Sequence, residues 1–269
     1  MQIQKLSLQT EGEMNDTLKT IHALRTIHGN FSAEDISQIN LDLICEAILH
    51  TSNASARQSY SIIVLSDRRQ MQELFGYQGS RALIFCVDFT RLAAGARHLK
   101  HAFDNDDIIG FITGSMDTML AAQTAVIAAK SLGIDSLITN GLHRNTLDVV
   151  YKSLNLPETS CFPLITVVLG YPSEEPAYQK GRLGAEFIFH EGVYDHPTPE
   201  MLDKMVAEYD DHDKHIGLVD NWEKMGFQHY LDWFYTKWSE EPVSEKIATG
   251  KVLEFQERLK KSGFWWPTE

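Results

Sequence analysis

At 269 residues the chain can bury a sizeable core, as one large domain or two small ones. Its 24 Lys and Arg against 37 Asp and Glu leave a net charge of −13, which argues against nucleic-acid partners and against attachment to anionic membranes. No long uncharged apolar run reads as a membrane span, and Glu11, Glu13 and Asp16 precede any apolar run, so neither a membrane segment nor a signal peptide is expected. Cys45, Cys86 and Cys161 are widely spaced and lie in or beside apolar runs, so they read as buried reduced thiols of a cytoplasmic protein.

Residues 1 to 15 read as a lead-in. A helix is expected over Thr17 to Leu24, followed by the polar turn Arg25-Thr26-Ile27-His28-Gly29-Asn30-Phe31. Ser37 can cap a second helix with Leu41, Ile44, Cys45 and Ile48 on one face. The run Thr51 to Gln58 is small and hydrogen-bonding, and Ser61 to Leu65 and Leu83 to Val87 read as buried strands. Residues 91 to 112, with the acidic patch Asp104 to Asp107, fit no single element. Ser115 to Leu132 is expected to be the central helix, capped by Ser115, with Asp117 at its positive end and Gly133 as its stop. Alanines at 121, 122, 125, 128 and 129 suit close packing on most sides.

Leu137 to Thr139 reads as a short strand, and Asn145 as the cap of a helix carrying Leu147, Val150, Tyr151 and Leu154. Leu164 to Leu169 is a further strand, closed by Gly170-Tyr171-Pro172. Pro199 to Tyr209 reads as helical. Trp222 to Trp238 carries Phe227, Tyr230 and Phe234 at helical spacing, and Ser244 to Lys261 forms a last helix with Val252, Phe255 and Leu259 on one face. Phe264-Trp265-Trp266 follows. With no repeat, low-complexity tract or linker, the simplest account is a single α+β domain.

The most informative stretch is Gln179 to Asp195. Lys180 and Arg182 sit one residue apart, and in an extended segment that spacing puts both on one side, suited to an anion such as phosphate. Taken alone, two solvated loop cations are the simpler reading. The order of motifs changes that. Leu169-Gly170-Tyr171-Pro172, Lys180-Gly181-Arg182-Leu183 and His190-Glu191-Gly192-Val193-Tyr194 follow one another and lead into the acidic helix Leu202 to Tyr209. From about residue 18 onward this series resembles the FMN-dependent nitroreductase superfamily, in particular its oxygen-insensitive nitroreductase and flavin reductase branch.

The resemblance implies a mostly antiparallel sheet flanked by helices. It divides the chain into a lead-in (1–15), an FMN-binding core (16–195) and a helical C-terminal extension (196–269) that embraces the partner subunit of a homodimer. FMN would lie at the subunit interface, and the terminal aromatics suit such an embrace. Four segments are expected to meet the flavin. Arg25, Thr26 and His28 match the segment that binds the phosphate and the N1–C2=O end, with His28 where the family has Arg or Lys. Asn53 and Ser55 match the polar ring contacts of a turn against the ring and ribityl chain, and Gln58 a packing and hydrogen-bonding position in it. Asn140, Gly141 and Leu142 stand at the turn that brings a backbone N–H to flavin N5, where Gly141 fits and Asn140 replaces a commoner small residue. Lys180 and Arg182 match the phosphate cations. The family also has a glutamine that touches the flavin before the Leu83 strand; the connection here is several residues shorter, and Gln78 is the candidate it offers.

No protein nucleophile or other catalytic side chain is needed, because the cofactor carries the chemistry. The resemblance implies ping-pong transfer of hydride from NADH or NADPH through FMN to nitroaromatic, quinone or flavin acceptors. The loop Asp210 to Asp220 has one Lys and no Arg where NADPH-preferring members grip a 2′-phosphate, so NADPH preference is not expected to be strong. The rival is a flavin-binding dimer with little reductase activity, serving sequestration or redox sensing. His212 and His215, spaced like His98 and His101, raise a metal site, but no further ligand is evident and none is assigned. Neither a Gly-x-Gly-x-x-Gly after a strand nor a P-loop or a Gly-x-Ser-x-Gly elbow is present.

Overall fold

The computed structural model describes residues 14–103, 107–239 and 245–265. They form two compact units. The larger comprises Asn15–Glu175 and the chain from Gly250 onward; the smaller comprises Pro176–Thr249. The expected lead-in up to residue 13, most of the acidic patch, Ser244 and Trp266 lie outside the described residues.

The larger unit opens with α1 (Asp16–His22), capped by Asn15, and α2 (Gln38–Leu49), where Ser37 Oγ accepts the Asn40 N–H as expected. Leu41, Ile44 and Ile48 are the buried positions of α2. Then come β1 (Tyr60–Leu65), α3 (Arg68–Phe75), β2 (Arg81–Asp88) and α4 (Thr90–His98). They are followed by α5 (Ile108–Ser131), β3 (Asp135–Thr139), α6 (Leu147–Leu154) and β4 (Cys161–Gly170). The sheet runs β1-β2-β4-β3 with every pairing antiparallel. Pro163 sits opposite Cys86 where the β2–β4 register shifts, which is where a residue without an N–H is tolerated.

α5 is the central helix, with Ala121, Ala122, Ala125 and Ala129 fully buried against α2 and the sheet. It starts earlier than Ser115. Asp107 caps it by accepting the Gly110 N–H at 2.7 Å, and Ser115 Oγ donates to the Phe111 carbonyl inside it. Two glycines in 108–114 disguise this first part as non-helical. At Gly114 the reason is contact: a Cβ would stand 2.7 Å from Val87 and 3.0 Å from Phe89. Asp117 is therefore mid-helix and 2% exposed, not at a helix end. Thr146, not Asn145, is the N-cap of α6; Asn145 Nδ2 donates to the carbonyls of Glu73 and Leu74.

In the smaller unit Thr198 caps α7 (Pro199–Asp210). The aromatic stretch is not one helix. It breaks into a 3-10 turn (Glu223–Met225), the short α8 (Tyr230–Trp233) and a π-helical turn (Phe234–Ser239), because Trp222, Tyr230 and Leu231 are drawn into one buried cluster. The last helix, α9, spans Glu245–Lys261. Phe255 and Leu259 pack on the core of the larger unit while Val252, expected on the same face, is 65% exposed. Phe264 is fully buried among Val87, Phe89, Leu147 and Phe162 of the larger unit, so this terminal ring covers the chain's own core.

The three cysteines are free, Cys86 and Cys161 fully buried. No helix among the described residues is long and apolar enough to cross a membrane.

Candidate functional site

Three of the four expected flavin segments lie in the larger unit. The first runs along the outer edge of β3: Thr26 bridges Ser136 in parallel sense and the Ile27 N–H donates to the Ser136 carbonyl at 3.0 Å. The side chains alternate. Ile27 is 3% exposed, whereas Thr26 and His28 are exposed. Arg25 turns to Asp135, Nε lying 3.1 Å from both carboxylate oxygens and Nη2 2.6 Å from Oδ2, while Nη1 reaches Glu175 at 2.7 Å. These hydrogen bonds, that with Asp135 foremost, hold the Arg25 pKa above its ordinary value.

The second segment follows the end of β3. Gly141 is glycine for a packing reason, since a Cβ would lie 2.4 Å from the Phe75 carbonyl oxygen. Its N–H donates to Thr139 Oγ1 at 3.0 Å, so the N–H expected to face flavin N5 is engaged within its own turn. Leu142 is buried and Asn140 exposed, which leaves Asn140 as the residue of this turn open to a ligand. Residues 75–78 join the two segments. Phe75 touches Gly141, the Tyr77 ring lies edge-on to His28 with centroids 5.7 Å apart, and Gln78 is exposed beside it.

The third segment, Asn53 to Gln58, precedes β1 and so stands at the opposite edge of the sheet, about 14 Å across three strand spacings. It is a strained turn: Ser55 (φ 55°), Ala56 (φ 53°) and Gln58 (φ 47°) all occupy the left-handed region without being glycine. Hydrogen bonds hold it there. Asp117 Oδ1 accepts the Ala54 N–H at 2.8 Å from beneath, Asn53 Oδ1 accepts the Gln58 N–H at 3.1 Å, and Arg91 Nη2 donates to the Gln58 carbonyl at 2.8 Å. Asn53 thus braces the turn, and Ser55 is its exposed tip. Sequence reading missed Arg91 and gave Asp117 another role. A carboxylate among the alanines of a central helix was the available signal for Asp117, since such a group needs a partner.

Among the described residues, Thr51 Oγ1, Ser59 Oγ and Asp117 Oδ2 are buried and unpartnered at this turn. Those orphaned oxygens, and the exposed Thr26, His28 and Asn140 at the other edge, fit a polar ring and chain such as FMN. One chain, however, does not bring the two edges to one point. An apolar stripe, Ile109, Ile112, Met116 and Leu120, is exposed along α5.

The fourth segment lies in the smaller unit and is irregular, not a strand. Lys180 Nζ donates to the Gly217 carbonyl, lies 3.9 Å from Asp220 and sits over the Tyr178 ring. Arg182 Nη1 folds back on the carbonyls of Lys180 at 2.9 Å and Gly181 at 2.8 Å. Gly181 is required because a Cβ would meet the Lys214 carbonyl at 2.1 Å. The two histidines of the neighbouring acidic loop part company: His212 stacks on Trp222 and His215 on Tyr178. No group of three potential metal ligands occurs among the described residues.

No family model matches the chain. Similar proteins do. The NADPH-flavin oxidoreductase of Vibrio harveyi is 33% identical over 194 residues, spanning 67% of this chain and 75% of that protein. The oxygen-insensitive NADPH nitroreductase of Salmonella typhimurium is 31% identical over 210 residues, spanning 73% of this chain and 83% of that one. Among solved structures, the NfrA1 nitroreductase from Bacillus subtilis superposes with a TM-score of 0.76 at 25% identity, covering 93% of this chain and 99% of that one.

Proposed function

From the premise that the chain belongs to the family of NAD(P)H-dependent flavin reductases and nitroreductases, we propose that it is an FMN-dependent oxidoreductase passing electrons from NADH or NADPH to small-molecule acceptors. The observation that carries this is the β3 edge, where exposed Thr26 and His28 run along the strand and exposed Asn140 follows its end, in a chain of this ancestry. Bound FMN would supply hydride acceptance at N5 and onward delivery to a nitroaromatic, quinone or flavin acceptor in ping-pong order.

The protein's part is binding and electrostatics. Lys180 and Arg182 offer the charge for the phosphate, exchanging their present carbonyl partners for it. Thr26 and His28 meet the pyrimidine end of the ring. A protonated His28 would stabilise negative charge there, and a neutral one would not. The Asn53–Gln58 turn, at the far edge of the sheet, serves the site of a second subunit. That reading makes the protein a homodimer, and the exposed stripe on α5 is apolar surface suited to being covered by it. Within the 196–269 extension, the described residues 196–239 belong to the smaller unit and are the part proposed to wrap another subunit, whereas the chain from Gly250 belongs to the larger unit.

The test is the visible spectrum of the FMN-loaded protein under anaerobic addition of NADH or NADPH. Bleaching by either donor, with return of colour on adding a quinone, is the expected result. A yellow protein that neither donor bleaches would favour the flavin-binding dimer. A protein that takes up no FMN would end the assignment.

A further inference from the structure

We infer that Arg25 is a positioning residue: it ties the Thr26–His28 strip to β3 through Asp135 and does not itself hold the flavin phosphate. The inference rests on the function proposed above and revises the role that resemblance gives to one of its cations.

Three observations carry it. Arg25 has every guanidinium nitrogen engaged by carboxylates, Nε and Nη2 on Asp135 and Nη1 on Glu175. Asp135 is 2% exposed and begins β3, next to the Ser136 carbonyl that accepts from Ile27. It also accepts from Lys130 Nζ of α5 at 2.7 Å, so two cations and two carboxylates neutralise one another. A guanidinium in that balance has no surplus charge for a dianion. The alternation of the strip agrees: Thr26 and His28 are exposed, while Ile27 is buried and Arg25 half-buried. Arg25 thus locks one end of the strip electrostatically, Ile27 anchors its middle by burial, and the exposed residues are left in register for a ligand.

Phosphate contact and anchoring make opposite predictions for FMN against riboflavin, which differ only in the phosphate. Affinities of the full-length apoprotein for both flavins would be measured by fluorescence quenching in wild type, Arg25→Ala, Arg25→Lys and Asp135→Asn. An anchor weakens both flavins together in Arg25→Ala, by about tenfold, and keeps their ratio within about twofold. Asp135→Asn then weakens both in the same way, and Arg25→Lys, which keeps the charge but not the fork, falls between. The absorption bands of bound FMN shift in Arg25→Ala, because Thr26 and His28 move; a change confined to stability would leave them in place. If Arg25→Ala does not fold, Arg25→Lys and Asp135→Asn carry the same comparison.

The inference is overturned if Arg25→Ala or Arg25→Lys loses affinity for FMN alone, or if Asp135→Asn sharpens the preference for FMN by releasing a cation. Wild type that binds neither flavin would instead remove the proposed function itself, and this inference with it.

Discussion

The two edges of the sheet hold their candidate site segments by different physics. At the β3 edge the Arg25–His28 strip is bound by charge: a buried carboxylate between two cations, with one backbone hydrogen bond beside it. At the β1 edge the Asn53–Gln58 turn is bound in a conformation its residues do not favour, by single hydrogen bonds that Asp117 and Asn53 accept and one that Arg91 donates. Ion pairs around a buried group depend on pH and fail abruptly when one member is removed. A strained turn stores energy that its braces must offset, and it relaxes gradually as braces are lost.

The largest expected effect comes from breaking the charged edge. Asp135→Ala strands the half-buried Lys130, leaves Arg25 only its exposed partner Glu175, and is expected to cost about 3–5 kcal/mol of unfolding free energy, measured by urea titration. The same edge should show in pH dependence. Burial pushes the Asp135 pKa up, but hydrogen bonds from Arg25 and Lys130 outweigh it and leave the pKa below its ordinary value. A depressed folded pKa means the stabilisation is complete above the unfolded value, about 3.9, and is lost as pH falls through the folded one. Urea midpoints of wild type should therefore drop below about pH 4, and those of Asp135→Asn should drop less. Equal acid sensitivity in both proteins would mean the cluster contributes nothing.

At the other edge the effects are smaller. Asp117→Ala removes the acceptor of the Ala54 N–H and should cost about 1–3 kcal/mol. Hydrogen exchange at the Ala54 amide should speed up while amides of β3 stay protected; uniform loss of protection would show that the turn is not an independent element. The smallest effect has the opposite sign. Ser55→Gly places a permissive residue at φ 55° and should gain about 0.5–1 kcal/mol, visible as a raised Tm. A lowered Tm would mean the turn is not strained.

Most elements are legible in the sequence where local chemistry decides them. Ser37 ahead of a 3.6-residue apolar period, Pro199 at a helix start and the apolar runs of β1, β2 and β4 each carry their own signal. Readings fail where a contact overrides propensity. Gly114 hides the first turns of α5 until Val87 and Phe89 are seen against it, and the helical spacing of Phe227, Tyr230 and Phe234 does not show that they converge with Trp222 on one cluster. The site divides the same way. Short motifs in a fixed order pointed to the segments, but Asn53 proves to brace its own turn and the Gly141 N–H to serve Thr139. Such partners lie one hydrogen bond away, and spacing along a chain does not show them.

By itself the sequence determined the α+β class, the ancestry, the central alanine-rich helix and the segments to examine, because residue type and local periodicity suffice for those. Only the tertiary structure decided which edge of the sheet each segment occupies, which charges are already paired and which side chains remain exposed. Strand order and ion pairing join residues more than a hundred positions apart, as Arg25 to Asp135 does, and that proximity is written in the fold and not in any local pattern.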